Sequence, residues 1–272
     1  MRTQNFTGKV AIITGSSGGI GKAIAFELAA RGAYIVLNGR NSVRLHATEN
    51  EIRKIQPKII SVCCDVSLIE GGQLLIDETI KAFGRIDILV NNAGISMRGN
   101  FAGLKPDVFK TIFETNVFGS VNTSIPAINS LRLTKGSIVF ISSLAGIRGL
   151  PETSAYCSSK MALRALAESI RIEEAKFKLH IGLILVGITE HDDGKEIIAA
   201  DGSKRRLNAR VGKSVQTKES VAIAVVRNII SRKFITVLTP IGKLNAFLQA
   251  IFPRLVEKII LQNLNKFHEG FK

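Results

Sequence analysis

Seven apolar runs rich in Val and Ile recur along the chain, with helical periodicity between them. The runs are Val10–Thr14, Tyr34–Asn38, Ile59–Val66, Ile86–Gly94, Gly136–Ser143, Leu179–Gly187 and Phe234–Thr239. Several are continuously apolar and do not alternate with polar residues. That pattern suits strands buried on both faces of a parallel sheet. The intervening segments Gly19–Arg31, Val43–Ile55, Leu68–Phe83, Pro106–Ser130, Ser154–Lys176 and Lys218–Ser231 read as helices. Strand–helix alternation with short connections predicts an α/β fold. It is a doubly wound parallel sheet of about seven strands with helices on both faces.

The chain has 272 residues and is 46% hydrophobic, which one sizeable domain can bury. No linker, repeat or low-complexity segment precedes residue 188, so residues 1–240 are expected to form one catalytic domain. The rhythm breaks at Ile188–Gln216, a polar, glycine-containing stretch expected to act as a substrate loop or lid. Residues 241–272 carry the sequence KLNAFLQAIFPRLVEKIILQNLNKF. They read as an amphipathic C-terminal extension of one or two helices, with Pro253 as a break or a helix start.

Three cysteines, two of them adjacent (Cys63 and Cys64), make neither a disulfide framework nor a zinc spacing. The four histidines are scattered, and no metal site is expected. Reduced thiols point to a cytoplasmic protein. No secretory h-region or apolar stretch of ~20 residues is present. The net charge is +15, and from Lys204 onward 14 Lys and Arg face only 3 Asp and Glu. The tail lacks the interleaved aromatics of single-strand binders, so nucleic acid is not an expected partner. The extension has three open roles: covering the substrate pocket, packing in an oligomer interface, or lying on an anionic membrane surface as a peripheral contact.

TGSSGGIG (Thr14–Gly21) follows the first strand and opens the first helix, the context a dinucleotide site needs. Gly15 allows a tight turn. Gly19 and Gly21 let the helix pack close and turn its terminal N–H groups toward a pyrophosphate. Ser17, Gly18 and Ile20 complete the cradle. The second strand ends in LNGRN, so Gly39, Arg40 and Asn41 border the adenosine end. A carboxylate there would accept the ribose hydroxyls of NAD. None is present, and Arg40 supplies a cation for a 2′-phosphate. NADP(H) is the favoured cofactor, with NAD(H) as the alternative.

Tyr156 and Lys160 lie four apart in a helical pattern and share a face. A nearby ammonium favours the phenolate and lowers a Tyr pKa from ~10. Such a phenol donates a proton to a carbonyl or takes one from an alcohol. Ser143 ends the fifth strand, where open α/β sheets place their ligands. Cys157, beside the tyrosine, reads as packing.

Taken in order, TGSSGGIG, CDV (Cys64–Val66), NNAG (Asn91–Gly94), Asn116, the ISS ending at Ser143 and YCSSK (Tyr156–Lys160) resemble the short-chain dehydrogenase/reductase family. The resemblance covers about residues 6–240 and implies a single-domain Rossmann-type fold. It also implies a catalytic tetrad. Asn116 would support a water in a proton relay, and Ser143 would orient the substrate carbonyl. Tyr156 would act as general acid or base, and Lys160 would tune it and bind the nicotinamide ribose. Asp65 would contact the adenine with Val66 beside it. Asn92, Ala93 and Gly94 would line the cofactor.

One departure concerns the loop after the sixth strand. The family's Pro-Gly is here Val186-Gly187, which retains the glycine and the Ile188 N–H at the nicotinamide carboxamide, with Thr189 as the nearest threonine.

The expected activity is hydride transfer between NADP(H) and a small-molecule carbonyl/alcohol substrate. An apolar ketone or acyl-type carbonyl fits the mostly apolar Leu144–Pro151, with Ser96–Asn100 and Ile188–Val211 as the other walls. Arg148 is expected to meet an acidic group or solvent. Glu190–Asp193 and Ser203–Arg206 are expected to pair as a lid. Family members form homodimers and homotetramers, and the same is expected here. The alternative is a non-catalytic dinucleotide-binding regulatory protein, for which Val186 and the basic tail speak.

Overall fold

A computed structural model of the chain describes residues 5–207, 210, 212 and 215–264. Val211 of the expected pocket wall, residues 208, 209, 213 and 214 of the expected lid, and residues 265–272 of the extension, with His268, lie outside that set.

The first half runs β1 Val10–Ile13, α1 Gly19–Ala29, β2 Tyr34–Gly39, α2 Ser42–Arg53, β3 Ile59–Cys63, α3 Ile69–Phe83, β4 Ile88–Asn91, β5 Met97–Arg98, α4 Pro106–Phe113 and α5 Gly119–Thr134. The second half runs β6 Ser137–Ser143, α6 Ser154–Glu173, β7 His180–Val186, β8 Glu196–Ala199, β9 Lys204–Arg206, α7 Lys218–Ser231, β10 Ile235–Val237, α8 Pro240–Ile251 and α9 Pro253–Gln262. Seven strands form one sheet in the order β10-β7-β6-β4-β1-β2-β3, and all its neighbours are parallel.

Side chains on a strand alternate between faces, so each run of apolar residues feeds two cores. Ala11 and Ile13 pack with Ile24, Leu28 and Val225 under α1 and α7. Val10 and Ile12 pack with Leu75, Leu131 and Leu163 under α3, α5 and α6. Both faces are therefore covered, which explains why the strands read as unbroken apolar runs. The strand order reverses between β1 and β4. That leaves a crevice at their carboxyl ends, where the glycine-rich turn sits.

Three elements differ from expectation. The segment expected as one helix over Pro106–Ser130 is interrupted by a π-helical turn at Glu114–Phe118. Helical periodicity runs through the break, so the apolar pattern hides it. The segment 188–216 is not wholly irregular: β8 pairs with β5 and β9 in a separate three-stranded sheet. The expected lid pairing does not form. Lys204 meets Glu196 at 3.4 Å, while Asp192 meets Lys218 at 2.7 Å, because the β8–β9 hairpin turns the basic stretch away from the acidic one.

Arg148 meets an acidic group, Glu257 of α9, at 3.5 Å, outside the catalytic cleft. It donates to Gln249 Oε1 at 2.8 Å and to the Pro253 carbonyl at 2.9 Å, clamping α8 and α9 to the loop after β6. None of the described residues of α8 or α9 lines the catalytic cleft. The two helices leave Ile241, Leu244, Phe247, Ile251 and Leu261 exposed. No helix among the described residues is long and apolar enough to cross a membrane.

His180 ties the sheet together at depth. Its Nε2 lies 3.1 Å from the Lys233 carbonyl, which can only accept, so Nε2 carries the proton and Nδ1 accepts from Ser137 at 3.1 Å. Burial pushes its pKa down to about 4. The unfolded chain therefore binds a proton that the native state refuses as pH falls from about 6.5 to about 4, and stability drops across that window. The stability gap between wild type and His180→Gln is expected to narrow by up to about 3 kcal/mol between pH 7 and pH 4. Thermal or urea unfolding of both proteins checks this.

Candidate active site

The glycine-rich turn is shaped by its backbone. Gly15 and Gly19 have φ of 63° and 57°, the left-handed region that glycine enters without strain. A Cβ on Gly21 would lie 2.4 Å from the Gly15 carbonyl oxygen, so α1 approaches β1 more closely than any side chain permits. Asn92 holds the turn from β4: its Nδ2 donates to the Thr14 carbonyl at 2.9 Å and to the Gly15 carbonyl at 3.1 Å. Thr14 Oγ1 in return accepts from the Asn92 and Ala93 N–H groups at 3.0 and 2.9 Å. Asn91, buried at the end of β4, bonds Ser124 and Thr123 of α5. The Asn91–Gly94 turn thus locks β4 to the glycine-rich turn on one side and to α5 on the other.

The catalytic candidates meet at the ends of β6 and α6. Tyr156 is half-buried, and it lines one cleft with Ser143. The Lys160 Nζ lies 5.7 Å from the Tyr156 ring centroid and donates to the Ile141 carbonyl at 2.9 Å. Asn116 lies in the π-turn. Its Nδ2 donates to the Ile95 carbonyl at 3.0 Å and to Ser159 Oγ at 2.9 Å, and its Oδ1 accepts from Ile95 N–H at 2.8 Å. Ser159 Oγ donates to the Tyr156 carbonyl at 2.8 Å, which links Asn116 to the tyrosine's own helix turn. Gly94 completes the group, since a Cβ there would meet Asn116 Oδ1 at 3.2 Å and Lys160 Nζ at 3.5 Å. Single π-turns recur at functional sites because they re-aim one side chain.

The electrostatics depart from the sequence expectation. Burial raises the Tyr156 pKa above its ordinary value, although the Ser143 hydrogen bond pulls the other way. Burial, with Lys195 adding to it, brings the Lys160 pKa down to about 8, which leaves it mostly an ammonium at neutral pH. In the free protein the phenol stays protonated at neutral pH, the state needed to donate to a carbonyl.

A cleft of about 510 Å³ joins these groups to the glycine-rich turn. Of the expected residues it is walled by Gly15, Ser17, Gly18, Gly19, Ile20, Gly39, Arg40, Asp65, Val66, Asn92, Ala93, Gly94, Ser143, Tyr156, Lys160 and Gly187. Gly21, Asn41, Asn116 and Ile188 lie off the wall. Gly21 packs α1, Asn116 braces the floor, and Asn41 caps α2 by accepting the Arg44 N–H at 2.9 Å. Arg40 lies 3.3 Å from Asp65, so the cation and the adenine-side carboxylate face each other. Burial would raise the Asp65 pKa, but two hydrogen bonds from Ser67 and the Arg40 charge hold it below the usual carboxylate range.

The loop after β7, which lacks the family's proline, is pinned by Gln216. Thr189 bridges Gln216, whose N–H donates to the Ile188 carbonyl at 2.9 Å and whose carbonyl accepts from Glu190 N–H at 3.0 Å.

Residues that the sequence did not single out also contribute. Asn38 is buried and reaches the Gly15 N–H through Oδ1 at 3.4 Å and the Val62 carbonyl through Nδ2 at 3.2 Å. Its place at the end of β2, a polar residue closing an apolar run, was the available signal. Arg44 also lines the cleft, with Asp192, Lys195 and Arg210 of the expected Ile188–Val211 wall. Of the other expected walls only Ser96 takes part, and none of Leu144–Pro151 does, because Leu144 and Ile147 pack into the core instead.

A glycine cradle against a helix N-terminus, continuous with a Tyr–Lys–Ser group on one cleft, defines a nicotinamide-dinucleotide-dependent oxidoreductase of the short-chain class. The family model described as short chain dehydrogenase matches residues 9–225, and the chain belongs to that family. It is 35% identical over 257 residues to an 11-beta-hydroxysteroid dehydrogenase-like 4A of Arabidopsis thaliana, covering 93% of this chain and 84% of that one. It is 30% identical over 270 residues to a dehydrogenase/reductase SDR family member 7B of Bos taurus, covering 94% and 82%. Among solved structures, an alcohol dehydrogenase from Thermococcus sibiricus complexed with 5-hydroxy-NADP aligns with a TM-score of 0.73 at 27% identity, over 85% of this chain and 95% of that one. A short chain dehydrogenase/reductase from Burkholderia phymatum in complex with NAD shares the fold with a TM-score of 0.79 at 24% identity, over 95% and 96%.

Proposed function

We propose that residues 1–240 form an NADP(H)-dependent oxidoreductase domain acting on a carbonyl/alcohol pair, with Tyr156 as the acid–base group. The observation that carries this reading is that Tyr156, Ser143 and Lys160 line together the cleft that continues to the glycine turn. The cradle fits a dinucleotide: left-handed glycines leave a strip with no side chain, and a terminal helix N–H faces it. Gly15, Ser17, Gly18, Gly19 and Ile20 would hold the phosphates. Arg40 and Asp65 would hold the adenosine end, and Lys160 the nicotinamide ribose. When bound, the nicotinamide supplies or accepts the hydride.

The chain's own work is position and proton transfer. Ser143 holds the substrate oxygen beside the Tyr156 hydroxyl, and Tyr156 gives up its proton as negative charge develops on that oxygen. The Lys160 ammonium, with its pKa near 8, offsets the charge left on the phenol. Asn116, clamped to Ile95 and Ser159, keeps the α5 and α6 turns in register beneath the tyrosine. In oxidation the same groups run in reverse. The hydroxysteroid dehydrogenase names among the relatives favour an apolar ketone or its alcohol.

The NADP preference rests on Arg40, the exposed cation at the end of β2, with no carboxylate at Gly39 or Asn41 to accept ribose hydroxyls. Arg40→Ala is expected to weaken NADPH binding by about tenfold or more and to leave NADH within about twofold. Fluorescence titration of both nucleotides checks this. A nucleotide preference that Arg40→Ala does not change would remove Arg40 from the site.

A further inference from the structure

The anion seat of the glycine-rich turn is filled by the protein itself. Gly19 N–H, at the start of α1, donates to Asp192 Oδ2 at 2.7 Å. Lys218 Nζ meets Asp192 Oδ1 at 2.7 Å, and Arg44 Nη2 lies 3.6 Å from Oδ2. A Cβ on Gly18 would meet both Arg44 Nη2 and Asp192 Oδ2 at 2.7 Å, so all three residues converge over one bare strip of backbone. Asp192 belongs to the loop after β7, 173 residues from Gly19 in sequence. The same loop is fastened on its near side, where Glu190 Oε1 accepts the Lys218 N–H at 3.0 Å. It also lines the catalytic cleft.

A helix N-terminus with two cations beside it favours whatever anion brings the most charge and the most acceptor oxygens. A carboxylate brings one charge, whereas a dinucleotide's diphosphate brings two. Both cannot bond the same N–H group. Burial works against the Asp192 anion, but the Lys218 and Gly19 hydrogen bonds outweigh it and hold its pKa below the usual carboxylate range. The latch is therefore charged throughout the physiological range.

We propose that Asp192 is an internal competitor for the cofactor's phosphates: it latches the 188–196 loop over the glycine turn, and an arriving dinucleotide displaces it. The inference rests on the dinucleotide reading of that turn. Displacement frees Lys218 and Arg44 to neutralise the phosphates in place of Asp192, which makes both residues cofactor ligands. It also releases the loop that borders the catalytic groups. The latched fraction lowers apparent affinity in proportion to the seats left open.

The test compares wild type, Asp192→Asn, Asp192→Ala and Asp193→Asn by calorimetric titration with NADPH, with ADP-ribose, and with adenosine, which lacks phosphate. Both Asp192 variants are expected to bind NADPH and ADP-ribose about tenfold tighter than wild type, with adenosine unchanged. Asp193 is exposed and one residue on, and Asp193→Asn is expected to leave all three affinities unchanged. Hydrogen exchange across residues 190–199 is expected to speed up when NADPH binds wild type, and to be already fast in Asp192→Asn. Unchanged or weaker nucleotide binding in both Asp192 variants overturns the latch. Equal tightening by Asp193→Asn also overturns it, by reducing the effect to net charge. If no protein binds either nucleotide, the cofactor reading itself falls, a result distinct from equal binding by all four.

Discussion

Tyr156→Phe is expected to lower kcat/KM for a carbonyl substrate by about a thousandfold or more, and to leave NADPH affinity within about twofold of wild type. The substitution removes one hydroxyl and keeps the ring that fills the pocket against α4 and β5. That hydroxyl belongs to the residue that shares the cleft with Ser143, and desolvation keeps it protonated until a substrate oxygen takes the proton. Lys160 retains its bond to the Ile141 carbonyl, so the floor of the cleft survives. Steady-state kinetics with a nucleotide titration separate the two effects. A variant with both turnover and affinity intact would move the proton donor elsewhere.

Gly21→Ala is expected to have the second largest effect. The added methyl would lie 2.4 Å from the Gly15 carbonyl oxygen and 2.5 Å from Asn92 Nδ2. The first neighbour is backbone and cannot rotate away. The second holds Thr14 and Gly15 in place. Relief requires α1 to move off β1, which costs about 1–3 kcal/mol of stability and carries the Gly19 N–H out of the phosphate seat. Dinucleotide affinity is expected to fall by about a hundredfold or more. Gly103→Ala is the control, since its Cβ would meet nothing within 4 Å. Thermal unfolding and ADP-ribose titration of the two variants give the comparison.

The sheet was legible because its five inner strands are buried on both faces and read as unbroken Val and Ile runs. The glycine turn and the Tyr156–Lys160 pair were legible because their chemistry is local in sequence. What escaped is non-local. The strand Lys204–Arg206 is exposed at every residue, so no apolar pattern marks it. The π-turn at Asn116 sits inside a helical period that does not register one extra residue per turn. Asn38 acts across 23 residues on Gly15, and Asp192 acts across 173 on Gly19. Neither partner is visible from its own neighbourhood. The direction of the Tyr156 shift was misjudged for a related reason. The i,i+4 lysine shows in the sequence, but the burial that outweighs it is a property of the packed site.

The central claim is that the Tyr156 cleft moves a hydride between NADPH and a carbonyl. Incubating the wild-type chain with NADPH deuterated at the transferable position and a panel of apolar ketones, then weighing the product alcohols, tests it directly. The expected result is one deuterium per alcohol formed, equal amounts of alcohol and oxidised nucleotide, and no labelled alcohol from Tyr156→Phe. NADPH bound by the protein but left unoxidised across the panel, in the reverse direction with the matching alcohols as well, would contradict it.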